Sequence, residues 1–205
     1  MAVITISRQF GAGGKTLGTM VAQRLGYTFV DNEIIQMVAT EAKVSKTWVE
    51  SIEKEAGGTL QRLITNLVSK SLVERILSGE RGYIDEEIYV DTLRKIITKL
   101  AEAGNVVIIG RGGQYILQDD PKTLHILLVG DFEHRVEFME KHYNLNNKQA
   151  TQAVTLDDRR RVSLYRKFGK EDYDNPDLYH LVLNMNRVEL NKGCDLVVKL
   201  VSLNA

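Results

Sequence analysis

Cysteine is almost absent from this chain: Cys194 stands alone, so no internal disulfide can form and nothing points to an oxidising compartment. Proline is nearly as scarce. Two in 205 residues fit a helix-rich chain without Pro-rich linkers or low-complexity tracts. Neither sign of charge is in excess, since 27 basic residues balance 27 acidic ones. That balance removes a global case for nucleic acid or an anionic membrane as partner. No apolar run approaches the roughly 18 residues of a membrane span, and no charged leader with a cleavage site precedes the first strand. A cytoplasmic protein is expected. The remaining composition, 43% hydrophobic and 26% charged, is enough to bury the core of one domain carrying insertions.

Short apolar runs alternate with long helical patterns, which predicts an α/β fold with a five-stranded, mainly parallel sheet. The expected strands are Val3–Ser7, Thr28–Val30, Val106–Ile109, Leu124–Val129 and Leu181–Asn184. Lys15–Leu25 reads as a helix with Leu17, Met20, Val21 and Leu25 on one face, closed by Gly26. Two stretches interrupt this alternation. From Asn32 to about Gly104 no strand pattern occurs, and helices are expected over Glu33–Ala42, Lys46–Glu55, Leu60–Ser78 and Glu86–Ala103. From Asn144 to about Gly169 the chain is again helical and highly charged.

The richest stretch is Val3 to Gly18, where a β-branched run, a glycine-dense loop, Lys15-Thr16 and a helical pattern follow in order. Glycines let backbone N–H groups of Gly11, Ala12, Gly13, Gly14, Lys15 and Thr16 converge on phosphate oxygens at a helix N-terminus. Lys15 then brings a cation to the β- and γ-phosphates of ATP, and the Thr16 hydroxyl is a ligand for Mg²⁺. The first glycine of the usual G-x-x-x-x-G-K-[ST] pattern is missing, because Gln9 occupies that position.

Ligands gather at the carboxyl ends of parallel strands. Asp31 ends the second strand there, either as a helix cap or as an acceptor for a substrate hydroxyl. Gly110-Arg111-Gly112-Gly113 ends the third strand, and an arginine in a glycine turn at a ligand edge suits an anion clamp. The run Asp157-Asp158-Arg159-Arg160-Arg161, continuing to Tyr165-Arg166-Lys167, is either a solvated face or a lid. Its arginines cannot all point one way on a helix. A lid arginine would neutralise charge on a transferring phosphoryl group and help exclude water. The four histidines lack metal-ligand spacing, and the absence of D-x-x-G argues against a GTPase switch.

Together these residues resemble the cytidylate kinase-like family of P-loop kinases. The likeness is carried by Ile4-Thr5-Ile6-Ser7-Arg8-Gln9-Phe10-Gly11-Ala12-Gly13-Gly14, Phe29-Val30-Asp31-Asn32-Glu33-Ile34-Ile35, the Gly110-Arg111 turn, the Asp158…Arg161…Tyr165 spacing and Tyr179-His180-Leu181-Val182-Leu183-Asn184. It implies a three-layer α/β/α P-loop fold. The core would be 1–31, 105–143 and 179–205, with a helical nucleoside-monophosphate lobe at about 32–104 and a lid at about 144–178. It further implies that Asp31 and Arg111 contact an acceptor nucleotide and that Arg135, Arg159 and Arg161 flank the phosphates. ATP and Mg²⁺ would serve phosphoryl transfer to CMP or dCMP.

Three features depart from ordinary cytidylate kinases. Counted forward from the strand, Arg8 falls on the glycine before the loop and Gly14 on the lysine slot. Gly112 replaces the acid after Gly-Arg, and His180 replaces an aspartate. These departures leave two other readings open: a P-loop kinase for a different small acceptor, or a non-catalytic ATP-binding regulatory protein. Apolar positions on Leu60–Ser78 (Leu63, Ile64, Leu67, Val68, Leu72, Ile76) serve either the core or a homodimer interface.

Overall fold

A computed structural model describes residues 2–31, 86–171 and 173–204. The helices expected over Glu33–Ala42, Lys46–Glu55 and Leu60–Ser78, and with them the dimer face, lie outside the described residues.

Five strands form one sheet: β1 (Val3–Arg8), β2 (Thr28–Val30), β3 (Val106–Ile109), β4 (Thr123–Val129) and β5 (Leu181–Asn184). Their spatial order is β2-β3-β1-β4-β5, and every pairing is parallel. β1 lies at the centre, with Ile4 opposite both Val107 and Leu124. A strand covered on both faces needs apolar residues at successive positions, which is why β1 and β3 read as β-branched runs.

One face packs Ile4, Ile6, Val107, Ile109, Ile126 and Leu128 against α1 (Gly14–Leu25) and α6 (Leu190–Leu203), through Leu17, Val21, Cys194 and Val197. The other face packs Val3, Val30, Val106 and Ile108 against α2 (Glu86–Ala103), through Leu93, Ile96, Ile97 and Leu100. The spacing 93, 96, 97, 100 puts those four on one helical stripe. This α/β/α sandwich is the expected fold class.

α2 ends the stretch expected as the helical lobe, and its apolar stripe is part of the sheet's core layer. The physical reason is that β2, β3 and the start of β1 leave an apolar face that only a covering helix can bury.

A short turn of helix, α3 (Gly113–Ile116), follows β3, and α4 (Phe132–Tyr143) follows β4. Asp131 caps α4 by accepting from the His134 N–H at 2.8 Å. α5 (Asn147–Lys167) opens with a reciprocal cap: the Asn146 side chain accepts from Gln149 N–H, and the Gln149 side chain accepts from Asn146 N–H. Ala150 and Val154 of α5 bury against Val136 and Met139 of α4, while Leu164 and Phe168 reach the sheet's second face. Among the described residues no helix is long and apolar enough to cross a membrane.

Because all five strands run the same way, their carboxyl ends share one edge. That edge carries Arg8, Asp31, the Gly110-Arg111 turn and Gly130-Asp131.

Candidate active site

The loop between β1 and α1 begins with Gln9, whose N–H donates to Leu128 O at 3.0 Å, and turns as Ala12 N–H donates to Gln9 O at 3.1 Å. Gly11 has φ +85°, and a Cβ there would lie 2.5 Å from the Arg135 carbonyl oxygen. Only glycine satisfies both the backbone angle and the close approach to α4. Gly14 opens α1 beneath Arg8, where a Cβ would meet Arg8 Cγ at 2.7 Å. Arg8 thus lies across the start of the helix, over the position that the lysine would hold in an ordinary cytidylate kinase counted from the strand.

A cleft of about 280 Å³ opens above this loop. Arg8, Gly11, Gly13, Gly14 and Lys15 form its floor, Asp31 and Ile109 one wall, and Phe138, Met139 and Tyr143 of α4 the other. Lys15, half exposed, reaches across it, and its Nζ sits 2.8 Å from Asp31 Oδ2. Asp31 itself is nearly buried. The loop cation and the acid at the end of β2 therefore meet inside the cleft, which the sequence alone did not decide. Thr16 is part-buried in the first turn of α1.

Arg111 occupies the left-handed region at φ +57°, between Gly110 and Gly112. A Cβ on Gly112 would strike the Phe168 ring at 2.7 Å, so the turn fits tightly under the end of α5. An acid in the place of Gly112 would collide with that ring. Burial pushes the Arg8 guanidinium below its ordinary pKa; Tyr165 and Asp157 oppose this, while the charges of Arg161 and Arg111 add to it. Arg8, Arg111 and Arg161 are thus electrostatic neighbours, and Arg8 was not among the site residues expected from sequence.

The three remaining arginines separate. Arg161 is largely buried, salt-bridged to Asp174, with its guanidinium 5.0 Å from the Tyr165 ring centre and 5.3 Å from that of Tyr173. Burial alone would lower its pKa, but the hydrogen bonds and charge of Asp174, with Tyr165, raise it. Arg159, two residues away and about 200° around the helix, is exposed. Arg135 lies behind the loop with its guanidinium turned to protein oxygens: Nε donates to Gly130 O at 3.1 Å, and Nη1 donates to Phe10 O at 3.0 Å and to both Asp158 oxygens at 2.9 Å. It ties the loop, the end of β4 and α5 together.

His180, at the expected aspartate, packs at a tilt of 43° against His125 with ring centres 5.5 Å apart, and its Nδ1 accepts from the His125 backbone N–H at 3.0 Å. Among the described residues no group of three His, Cys, Asp or Glu side chains could hold a metal ion by itself. Sequence reasoning missed Asp174 and the work of Gln9. A loop acid downstream of a basic helix carries no periodic signal; the missing glycine at position 9 was the one clue.

A sequence model described as the cytidylate kinase-like family matches residues 3–187. No curated protein matches the chain in sequence. Among solved structures, an uncharacterized protein from Eubacterium ventriosum superposes with a TM-score of 0.65 at 18% identity, covering 98% of this chain and 99% of that one. A shikimate kinase from Acinetobacter baumannii in complex with shikimate gives 0.50 at 15% identity, covering 100% and 94%. A sugar kinase from Janibacter sp. gives 0.52 at 12% identity, covering 98% and 95%. At these identities the structural likeness speaks for the fold.

Proposed function

The chain belongs to the cytidylate kinase-like family and is a P-loop kinase by that membership, and from this premise we propose that it transfers a phosphoryl group from ATP to a nucleoside monophosphate, CMP or dCMP first. The observation that carries the reading is the Lys15–Asp31 contact of 2.8 Å across the cleft. It brings a loop cation suited to donor phosphates beside an acid suited to the acceptor.

The N–H groups of Gly11 to Thr16 hold the donor phosphates at the N-terminus of α1. Lys15 leaves Asp31 for the β- and γ-phosphates when ATP enters, and the freed Asp31 turns to the acceptor. Arg111 holds the acceptor's anionic group. Arg161 of the lid, about 144–178, stabilises negative charge on the transferring group, while Arg159, on the other side of the helix, stays exposed. Arg135 supports the loop from behind. Thr16 would offer its hydroxyl oxygen to Mg²⁺, an ion that ordinarily completes its shell with phosphate oxygens and water. When bound it would neutralise phosphate charge. A phosphate acceptor is already anionic at neutral pH, so no general base is required.

One observation favours a second reading. Asp31 is a nearly buried carboxylate inside the cleft, and such a group can take the proton of an attacking hydroxyl. A small alcohol acceptor would use it so. Measuring ADP formation with CMP, dCMP, UMP, AMP and small polyols separates the two: turnover with CMP or dCMP supports the first reading, and turnover with a polyol alone supports the second.

A further inference from the structure

Gln9 stands where the ordinary phosphate loop opens with glycine, and both ends of its amide are engaged. Its carbonyl oxygen accepts from Gly130 N–H at 3.0 Å, at the end of β4. Its amide nitrogen donates to Asp174 Oδ2 at 3.2 Å, although 165 positions separate the two in the chain. Asp174 lies between α5 and β5. It accepts on that same oxygen from Arg161 Nη1 at 3.1 Å, and on Oδ1 from Arg161 Nη2. A chain of hydrogen bonds therefore runs from β4 through the phosphate loop to the lid helix. Glycine at position 9 could make neither of the side-chain links.

Arg161 is well fixed by this arrangement. The fork of its guanidinium is matched by a single carboxylate, and the rings of Tyr165 and Tyr173 lie over it. Its Nε is buried and has no hydrogen-bond partner among the described residues. We propose that Gln9 and Asp174 are positioning residues, which fix the lid arginine Arg161 relative to the loop that holds the donor phosphates. The altered loop is then a coupling element: a shift of the loop on binding phosphate reaches Arg161 through two hydrogen bonds. This inference rests on the kinase reading for the role of Arg161. The coupling itself does not depend on which acceptor is used.

The test uses the full chain with Gln9→Met, which keeps size and removes both bonds, and Asp174→Asn. With ATP and CMP, Gln9→Met is expected to lower kcat at least about tenfold while KM for ATP stays within about twofold, since misplacing a group by 1 Å costs up to about a hundredfold. In an Arg161→Lys background the same substitution should change kcat by less than about twofold. Hydrogen exchange supplies a readout independent of turnover. Exchange across residues 159–174 should rise in Gln9→Met, at the far end of the chain from the substitution. Unchanged exchange there overturns the coupling, as does full kcat in a wild-type-active background. If the wild type leaves CMP unphosphorylated but exchange rises, the coupling holds and the acceptor assignment falls. Should Asp174→Asn fail to fold, Gln9→Met decides alone.

Discussion

Lys15 Nζ and Asp31 Oδ2 lie 2.8 Å apart, joining the first turn of α1 to the end of β2. The lysine is half exposed and the aspartate nearly buried, so the pair is only partly dry. Such a pair contributes no more than about 1 kcal/mol, because solvent screens the exposed partner. A polyphosphate carrying several negative charges can displace the carboxylate from Lys15 at that cost. In the proposed reaction the pair marks where donor and acceptor sides of the cleft meet, without blocking it.

Replacing Lys15 by Ala should reduce turnover by about a hundredfold or more, the usual consequence of removing a preorganised charge from a developing anion. The fold should stand, since the side chain is half exposed. Steady-state kinetics and a thermal melt check both halves. Unchanged turnover removes Lys15 from the chemistry.

Asp31→Asn separates binding from transfer. Lys15 then has no carboxylate to leave, and ATP should bind about two- to fivefold more tightly, matching the small energy of the pair. Acceptor-dependent turnover should fall by at least about tenfold. Calorimetric titration with a non-hydrolysable ATP analogue, beside kinetics on the same preparation, gives the two numbers.

Gly11→Ala should cost about 2–4 kcal/mol, because the backbone is at φ +85° and the new methyl would sit 2.5 Å from the Arg135 carbonyl oxygen. Neither atom is a flexible side-chain end. Urea unfolding reads the loss, and weakened ATP binding should accompany it, because the loop can relax only by moving away from α4.

Much of this molecule was legible beforehand, and the reasons are physical. β1 and β3 are β-branched runs because both sheet faces are covered, and such runs leave a clear signature. The helical pattern over Glu86–Ala103 was legible, but not that Leu93, Ile96, Ile97 and Leu100 of that helix cover the sheet. Asp31 and Arg111 were placed on the ligand edge by parallel topology alone. Where the sequence fell short, tertiary contacts decide. The direction of Arg135 is set by Asp158 on the neighbouring helix, and that of Arg161 by Asp174 in a loop. The helical period already required Arg159 and Arg161 to part; it could not tell which would turn inward.

The His125–His180 pair makes stability depend on pH. Burial, with the charge of His180 second, holds the His125 pKa down to about 4, from an ordinary 6.5. The facing groups are His180, Asp120 and the Thr5 hydroxyl, whose Oγ1 lies 2.6 Å from His125 Nδ1. Between pH 6.5 and 4 the unfolded chain takes up a proton that the folded one refuses. Stability from this group is thus fully present above about pH 6.5 and falls as pH drops toward 4, by about 2–3 kcal/mol. His125→Asn should flatten the dependence of unfolding free energy on pH across that window, whatever its effect at pH 7. An unaltered slope would place the titration elsewhere.

The most direct measurement is chromatographic separation of nucleotides after incubating the protein with ATP, Mg²⁺ and CMP or dCMP. The proposed function predicts the corresponding diphosphate and ADP in equal amounts, with both lost in Lys15→Ala. ATP consumed only when a non-nucleotide alcohol is supplied, or ATP bound and never consumed with any acceptor, would contradict it.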